Sequence, residues 1–138
     1  MVLIQQVLCF ALRHQTKACK LGLQNQVNFF GPQTDTRPFY QYADALAIPS
    51  FYDPFANVTL EALSFGLKVL SSKTNGGHEV IHEQNGIVLE ELAKECLSHA
   101  LERLFLSRKT LENAAKVRAS VAHLDFSAQL KKLIDACI

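Results

Sequence analysis

The sequence predicts an α/β fold: a parallel sheet covered by helices on both faces, followed by a helical C-terminal end. Two observations carry this. Runs at 45–48 (ALAI) and 68–71 (KVLS) have strand length and lack the apolar/polar alternation of a half-exposed strand, as expected for strands buried on both faces. Helical stretches and glycine-bearing turns separate them, and strands alternating with helices build parallel sheets.

The chain opens with MVLIQQVLCFALRHQ, an apolar run broken by Gln5-Gln6 and too short to span a bilayer. It is read as a buried helix or strand at the domain edge. VNFF at 27–30 reads as a short strand closed by Gly31-Pro32. A short helix is expected at 36–43, with Asp35 or Thr34 as its cap. The buried strand 45–48 ends at Pro49, and a helix at 57–65 stops at Gly66, a residue type that closes helices in the left-handed conformation. Strand 68–71 leads to the Asn75-Gly76-Gly77 turn. A short helix at 78–83 and Asn85-Gly86 precede a last strand at 87–89. Beyond Glu90 the pattern is helix only. Leu92, Cys96, Leu97, Ala100, Leu101, Leu104 and Phe105 recur at three- and four-residue intervals, and helices at 109–121 and 127–137 follow.

With 138 residues the chain suits one domain. Its 49% apolar and 20% charged residues are ordinary for a globular protein. A formal charge of +1 without a basic stripe speaks against a nucleic-acid partner. Cys9, Cys19, Cys96 and Cys137 lie far apart with no metal-ligand spacing, so they read as reduced thiols. His78 and His82 have helical spacing but no third ligand nearby, so no metal site is expected.

The unusual chemistry sits in the loops after 48 and 71, at the strand ends where α/β folds bind ligands. Ala56-Asn57-Val58-Thr59 opens a helix whose free N–H groups and dipole favour an anion, although Asn57 also reads as a plain N-cap. Glu61, four residues on, is placed in a largely buried helix, where a carboxylate needs partners. A vicinal diol would supply two donors, and a solvated or salt-bridged glutamate is the alternative. Asp53 in Tyr-Asp-Pro either shapes a turn or accepts sugar hydroxyls. Gly76-Gly77 with Glu79 adds a tight loop at the same sheet edge.

Together, PSxxDPFxxxxLEALxxGLxVLxxxxxGGxEVI resembles the E-x7-E region of the retaining glycosyltransferases of family 4, also called group 1. The Tyr-Asp-Pro-Phe-x-Asn variant is most similar to lipopolysaccharide-core UDP-glucose:heptose glucosyltransferases. The likeness runs from about Lys20 to Gly86 and resumes at Asp125-Phe126-Ser127, so that its first and last residues span roughly four-fifths of the chain. The resemblance implies a Rossmann-like domain, the C-terminal donor-binding half of a GT-B enzyme. It implies that Asp53, Phe55, Ala56 and Asn57 contact the donor hexose. Asn57, Val58 and Thr59 would meet the diphosphate, Glu61 the ribose, and Phe30-Gly31 the nucleobase. It assigns no residue as a certain general acid or base, and neither cofactor nor metal beyond the UDP-sugar itself.

Asp53 is one methylene shorter than the commoner Glu. The family's Gly-Arg…Lys diphosphate clamp and Gly-x-Gly strand do not stand in this sequence, nor does an acceptor-binding half. The expectation is therefore a single truncated domain over 1–138, inactive alone, whose full enzyme would transfer a hexose to a glycan or lipid-linked acceptor. Such an enzyme is expected in the bacterial cytoplasm, peripherally at the inner membrane face. The competing reading is a non-catalytic interaction or vestigial module.

Overall fold

The computed structural model describes residues 2–4, 11–107, 109–124 and 135. Four parallel strands lie side by side in chain order: β1 (Val2–Ile4), β2 (Ala45–Ile48), β3 (Lys68–Ser72) and β4 (Gly86–Leu89). Val2 pairs with Ala45, Ala45 with Lys68, and Val69 with Gly86. The three strands expected after residue 40 are present, two of them one residue longer than expected. Among the described residues Val2–Ile4 makes one of the two edge strands, and a strand is one of the two forms expected for the N-terminal run.

The helices are α1 (Ala11–Lys20), α2 (Arg37–Tyr42), α3 (Asn57–Ser64), α4 (Lys94–Leu106) and α5 (Leu111–Val121). Short 3₁₀ turns occupy Gly76–Val80 and Ala122–Leu124. The helix expected at 127–137 lies outside the described residues, Asp135 apart.

β2 is buried along its whole length because both faces are covered. Leu46 and Ile48 point to one core with Val69, Leu63, Leu67 and Val117, under α3 and α5. Ala45 and Ala47 point to the other with Leu70, Leu89, Ala100 and Leu104, under α4. Leu63, Leu67 and Leu70 are fully buried, each contributing roughly 2 kcal/mol. Helices thus cover both faces, as expected.

The stop of α3 follows its sequence signal. Gly66 has φ +76°, its N–H donates to the Leu63 carbonyl, and the Leu67 N–H donates to the Ala62 carbonyl. These two bonds close the last turn as a Schellman motif. The cap position of α2 is Thr36, which makes no side-chain cap bond, and neither Asp35 nor Thr34 occupies it, although Asp35 accepts the Arg37 N–H.

Three further expectations are corrected. VNFF is not a strand among the described residues. The Val27 N–H closes a turn onto the Leu23 carbonyl, the Phe30 carbonyl accepts from Gln33, and Phe30 packs edge-on against Phe39 at 4.9 Å. β-rich composition makes a strand only where a partner strand is available. The helix expected at 78–83 is instead the tighter 76–80 turn, set early by Asn75 accepting the Gly77 N–H. On α4, Cys96 and Phe105 are exposed. At 100° per residue each lies about 90° from the middle of the buried Leu97–Ala100–Leu101–Leu104 face.

Candidate functional site

The loops leaving β2 and β3 do not diverge. Parallel pairing resumes past the strand ends, with Asp53 opposite Asn75. The Asp53 N–H donates to the Thr74 carbonyl (3.3 Å), and the Gly76 N–H donates to the Asp53 carbonyl (2.8 Å). The Thr74 hydroxyl donates to the Ser50 carbonyl at 2.8 Å. Asn75, fully buried, accepts the Gly77 N–H at 2.9 Å and the Ala56 N–H at 3.4 Å through Oδ1. One amide therefore ties the Gly76-Gly77 turn to the start of α3. The two loops expected to carry a site at the carboxyl edge of the sheet are joined by these contacts.

Each expected residue can now be placed. Asp53 is half-buried and its Oδ1 accepts the Phe55 N–H at 3.1 Å, so it does shape the turn. Its second oxygen has no partner among the described residues. Ala56 occupies the cap position of α3 and makes no side-chain cap bond, so Asn57 is the first helical residue and not the cap. The Asn57 and Val58 N–H groups, which lack intrahelical acceptors, have none among the described residues.

Thr59 departs from expectation. Its side chain is fully buried and its N–H donates to the Ala56 carbonyl, so the N–H is not open to a diphosphate; its buried hydroxyl has no partner among the described residues. The Ala56 methyl is likewise buried, while the Phe55 ring is exposed at the rim. Glu61 was expected in a buried setting and is exposed. The buried face of α3 is formed by Thr59, Ala62 and Leu63, which leaves Asn57 and Glu61 one turn apart on its open face.

A partner for Glu61 comes from α2. The buried Tyr40 hydroxyl donates to Glu61 Oε2 at 2.8 Å, and the Tyr40 ring lies 5.6 Å from that of Phe65. Phe30, through Phe39, also rests on α2, so the loop at Phe30-Gly31 is tied to the Glu61 end of the constellation. Lys109 holds this helix in place: its ammonium donates to the carbonyls of Tyr40, Gln41 and Ala43 at 3.2–3.3 Å. Partial burial lowers the Lys109 pKa from its usual range. None of Tyr40, Asn75 and Lys109 stood out in the sequence. Only the Asn-Gly-Gly step carried a readable signal, as an Asx-type turn.

Burial, with the Glu61 carboxylate second, raises the Tyr40 pKa above its ordinary value of 10.0. The unfolded chain therefore loses this proton at lower pH than the folded one. The contribution to stability is complete below about pH 10 and is lost as pH rises toward the raised folded value. Urea unfolding at pH 9 and pH 11 checks this: Tyr40→Phe should show a smaller alkaline loss than the native chain.

An open groove of about 630 Å³ lies at the opposite edge of the sheet, by Lys68 and Gly86 at the starts of β3 and β4. It contains none of these candidate residues.

Residues 12–121 match the model of a family described as glycosyl transferases group 1. The chain belongs to this family. Among curated relatives of the group 1 glycosyl transferase is the lipopolysaccharide core biosynthesis glycosyltransferase LpsE of Rhizobium meliloti. It is 32% identical over 88 residues, covering 63% of this chain and 26% of that protein. An uncharacterised glycosyltransferase of Methanocaldococcus jannaschii is 35% identical over 103 residues, 70% of this chain and 26% of its own length. The chain thus spans about a quarter of the curated relatives it matches.

The crystal structure of WaaG, a glycosyltransferase involved in lipopolysaccharide biosynthesis, superposes with a TM-score of 0.74 at 28% identity. The match covers 91% of this chain and 35% of that one. HepE of Anabaena in complex with UDP gives 0.78 at 21% identity over 99% of this chain and 40% of its own, a likeness of fold. The resemblance read from the motif is confirmed at the level of family and of a GT-B half.

Proposed function

We propose that this domain binds the donor of a retaining hexosyl transfer, with UDP-glucose as the donor. The observation that carries the reading is the convergence of Asp53, the first turn of α3 and Glu61 at one sheet edge, closed by the Gly76-Gly77 turn. Crystal structures of HepE, a protein of the same fold, hold UDP and UDP-glucose, which supports it.

In this reading the uridine base lies beside Phe30-Gly31 and the ribose hydroxyls donate to Glu61. The Asn57 and Val58 N–H groups, with the α3 dipole behind them, receive the diphosphate. The hexose meets the free oxygen of Asp53 and the Asn57 side chain. Thr59 has no direct role. The helix terminus, with about half a positive charge, offsets only part of the diphosphate charge, and no metal is part of this reading.

The acceptor, of lipopolysaccharide-core type, is expected to meet the donor on a second domain of the kind the relatives' greater length would supply. This chain alone then binds donor without measurable transfer. The setting is a reducing cytoplasm at the inner membrane face. Cys19 and Cys96 are free thiols, and no helix among the described residues is long and apolar enough to cross a membrane.

Titration with UDP and UDP-glucose, followed by amide NMR shifts in the presence of EDTA, tests the reading. Shifts at Asn57, Val58 and Glu61 with a Kd of about 1 mM are expected, since one helix terminus supplies only a few kcal/mol. Silence at those residues under saturating ligand would overturn it.

A further inference from the structure

Glu61 is exposed on α3, and an exposed glutamate samples many rotamers that must be frozen when a ligand binds. Here one rotamer is already selected. The Tyr40 hydroxyl approaches Oε2 to 2.8 Å, while Oε1 has no partner among the described residues. Tyr40 itself has little freedom. It is 5% exposed, its ring packs against Phe65, and the Lys109 ammonium bonds its carbonyl oxygen. The donor thus comes from a rigid wall and the acceptor from a mobile side chain, so the bond's effect is to position the glutamate.

We infer that Tyr40 is a positioning residue for recognition of a ribose diol: it anchors Oε2 of Glu61 and presents Oε1 to the vicinal hydroxyls of a nucleoside diphosphate. This rests on the donor-binding reading above and adds to it the device that sets ribose selectivity. A carboxylate oxygen has two lone pairs, so the phenol and one ribose hydroxyl can share Oε2 while the second hydroxyl takes Oε1. A tyrosine phenol is protonated across the neutral range, and burial moves its titration further from it, so Tyr40 stays a donor there.

The chemistry predicts a selectivity that a scaffold role would not produce. A ligand lacking both hydroxyls cannot use the positioned oxygen, so losing Tyr40 should cost it nothing. The test measures Kd by NMR for UDP and for 2′,3′-dideoxy-UDP, on the native chain and on Tyr40→Phe, with urea unfolding of both proteins alongside. The phenyl ring keeps its place against Phe65, so Tyr40→Phe should fold.

The native chain is expected to prefer UDP by about tenfold, the ratio that hydrogen bonds to a charged group support. In Tyr40→Phe the preference should fall to about threefold, through weaker UDP binding only, because the glutamate must then be ordered by the ligand. An unchanged tenfold preference in Tyr40→Phe would overturn the inference and leave the donor-binding reading intact. So would an equal loss for both ligands, which marks a structural role. A native chain that binds both ligands equally, or neither, overturns the assignment of Glu61 to the ribose and the inference with it. Glu61→Gln supplies a second check: in that background Tyr40→Phe should no longer alter the ratio, and a persisting effect would show that Tyr40 acts elsewhere.

Discussion

Gly76→Ala is expected to lower the free energy of unfolding by about 3 kcal/mol or more and to abolish UDP binding. A Cβ at this position would stand 1.8 Å from the Pro54 carbonyl oxygen and 2.8 Å from its carbon. Both are backbone atoms next to a ring-fixed residue, so relief requires the two loops to part. Parting them breaks the bond from the Gly76 N–H to the Asp53 carbonyl and removes the pairing that holds Asp53 beside the turn. Urea unfolding gives the first quantity and UDP titration of the folded fraction the second. Native-like stability would show that the turn can move without cost.

Gly66→Ala should also cost about 3 kcal/mol, from two sources. Left-handed backbone disfavours a side chain by about 1–2 kcal/mol, and overpacking adds about 1–3 kcal/mol. The added Cβ would sit 2.7 Å from both the Cβ and the carbonyl oxygen of Ala114 on α5. Gly22 separates the two effects. It has φ +70° but open space around the position, so Gly22→Ala should cost only about 1 kcal/mol. Comparable midpoints for the two variants in urea would mean that α5 yields to the extra methyl. UDP binding by folded Gly66→Ala should be retained, because the C-terminal end of α3 carries none of the donor contacts.

These predictions rest on features of unequal legibility. β2 and β3 were readable because strands buried on both faces lose their polar alternation, and the end of α3 because Gly66 marks a left-handed residue. The motif also located Asp53, Asn57 and Glu61 together, since two are fixed by one helix and the third by the turn before it. What stayed hidden depends on residues distant in sequence. VNFF has strand composition, but its hydrogen bonds go to a local turn. The helix propensity of 57–64 does not tell which side faces the core, so the exposure of Glu61 and the burial of Thr59 are not readable from it. Tyr40 and Glu61 are 21 positions apart, and nothing in either neighbourhood announces the contact. Asn75 looked like a turn residue, yet its buried amide also reaches Ala56 across the loop, 19 positions away.

The Lys109 contact has a consequence for the order in which the domain acquires its shape. α2 has six residues, far below the length at which a helix persists unaided in water. Its terminal carbonyls are held by an ammonium 66 to 69 positions further along the chain. Closing a loop of that length carries an entropic cost that must be met before the contact returns anything. The Lys109 bonds therefore belong among the late-forming contacts, whereas Tyr40 of α2 meets Glu61 and Phe65 across far shorter loops. The wall against which Glu61 is set is completed only when most of the domain has been made.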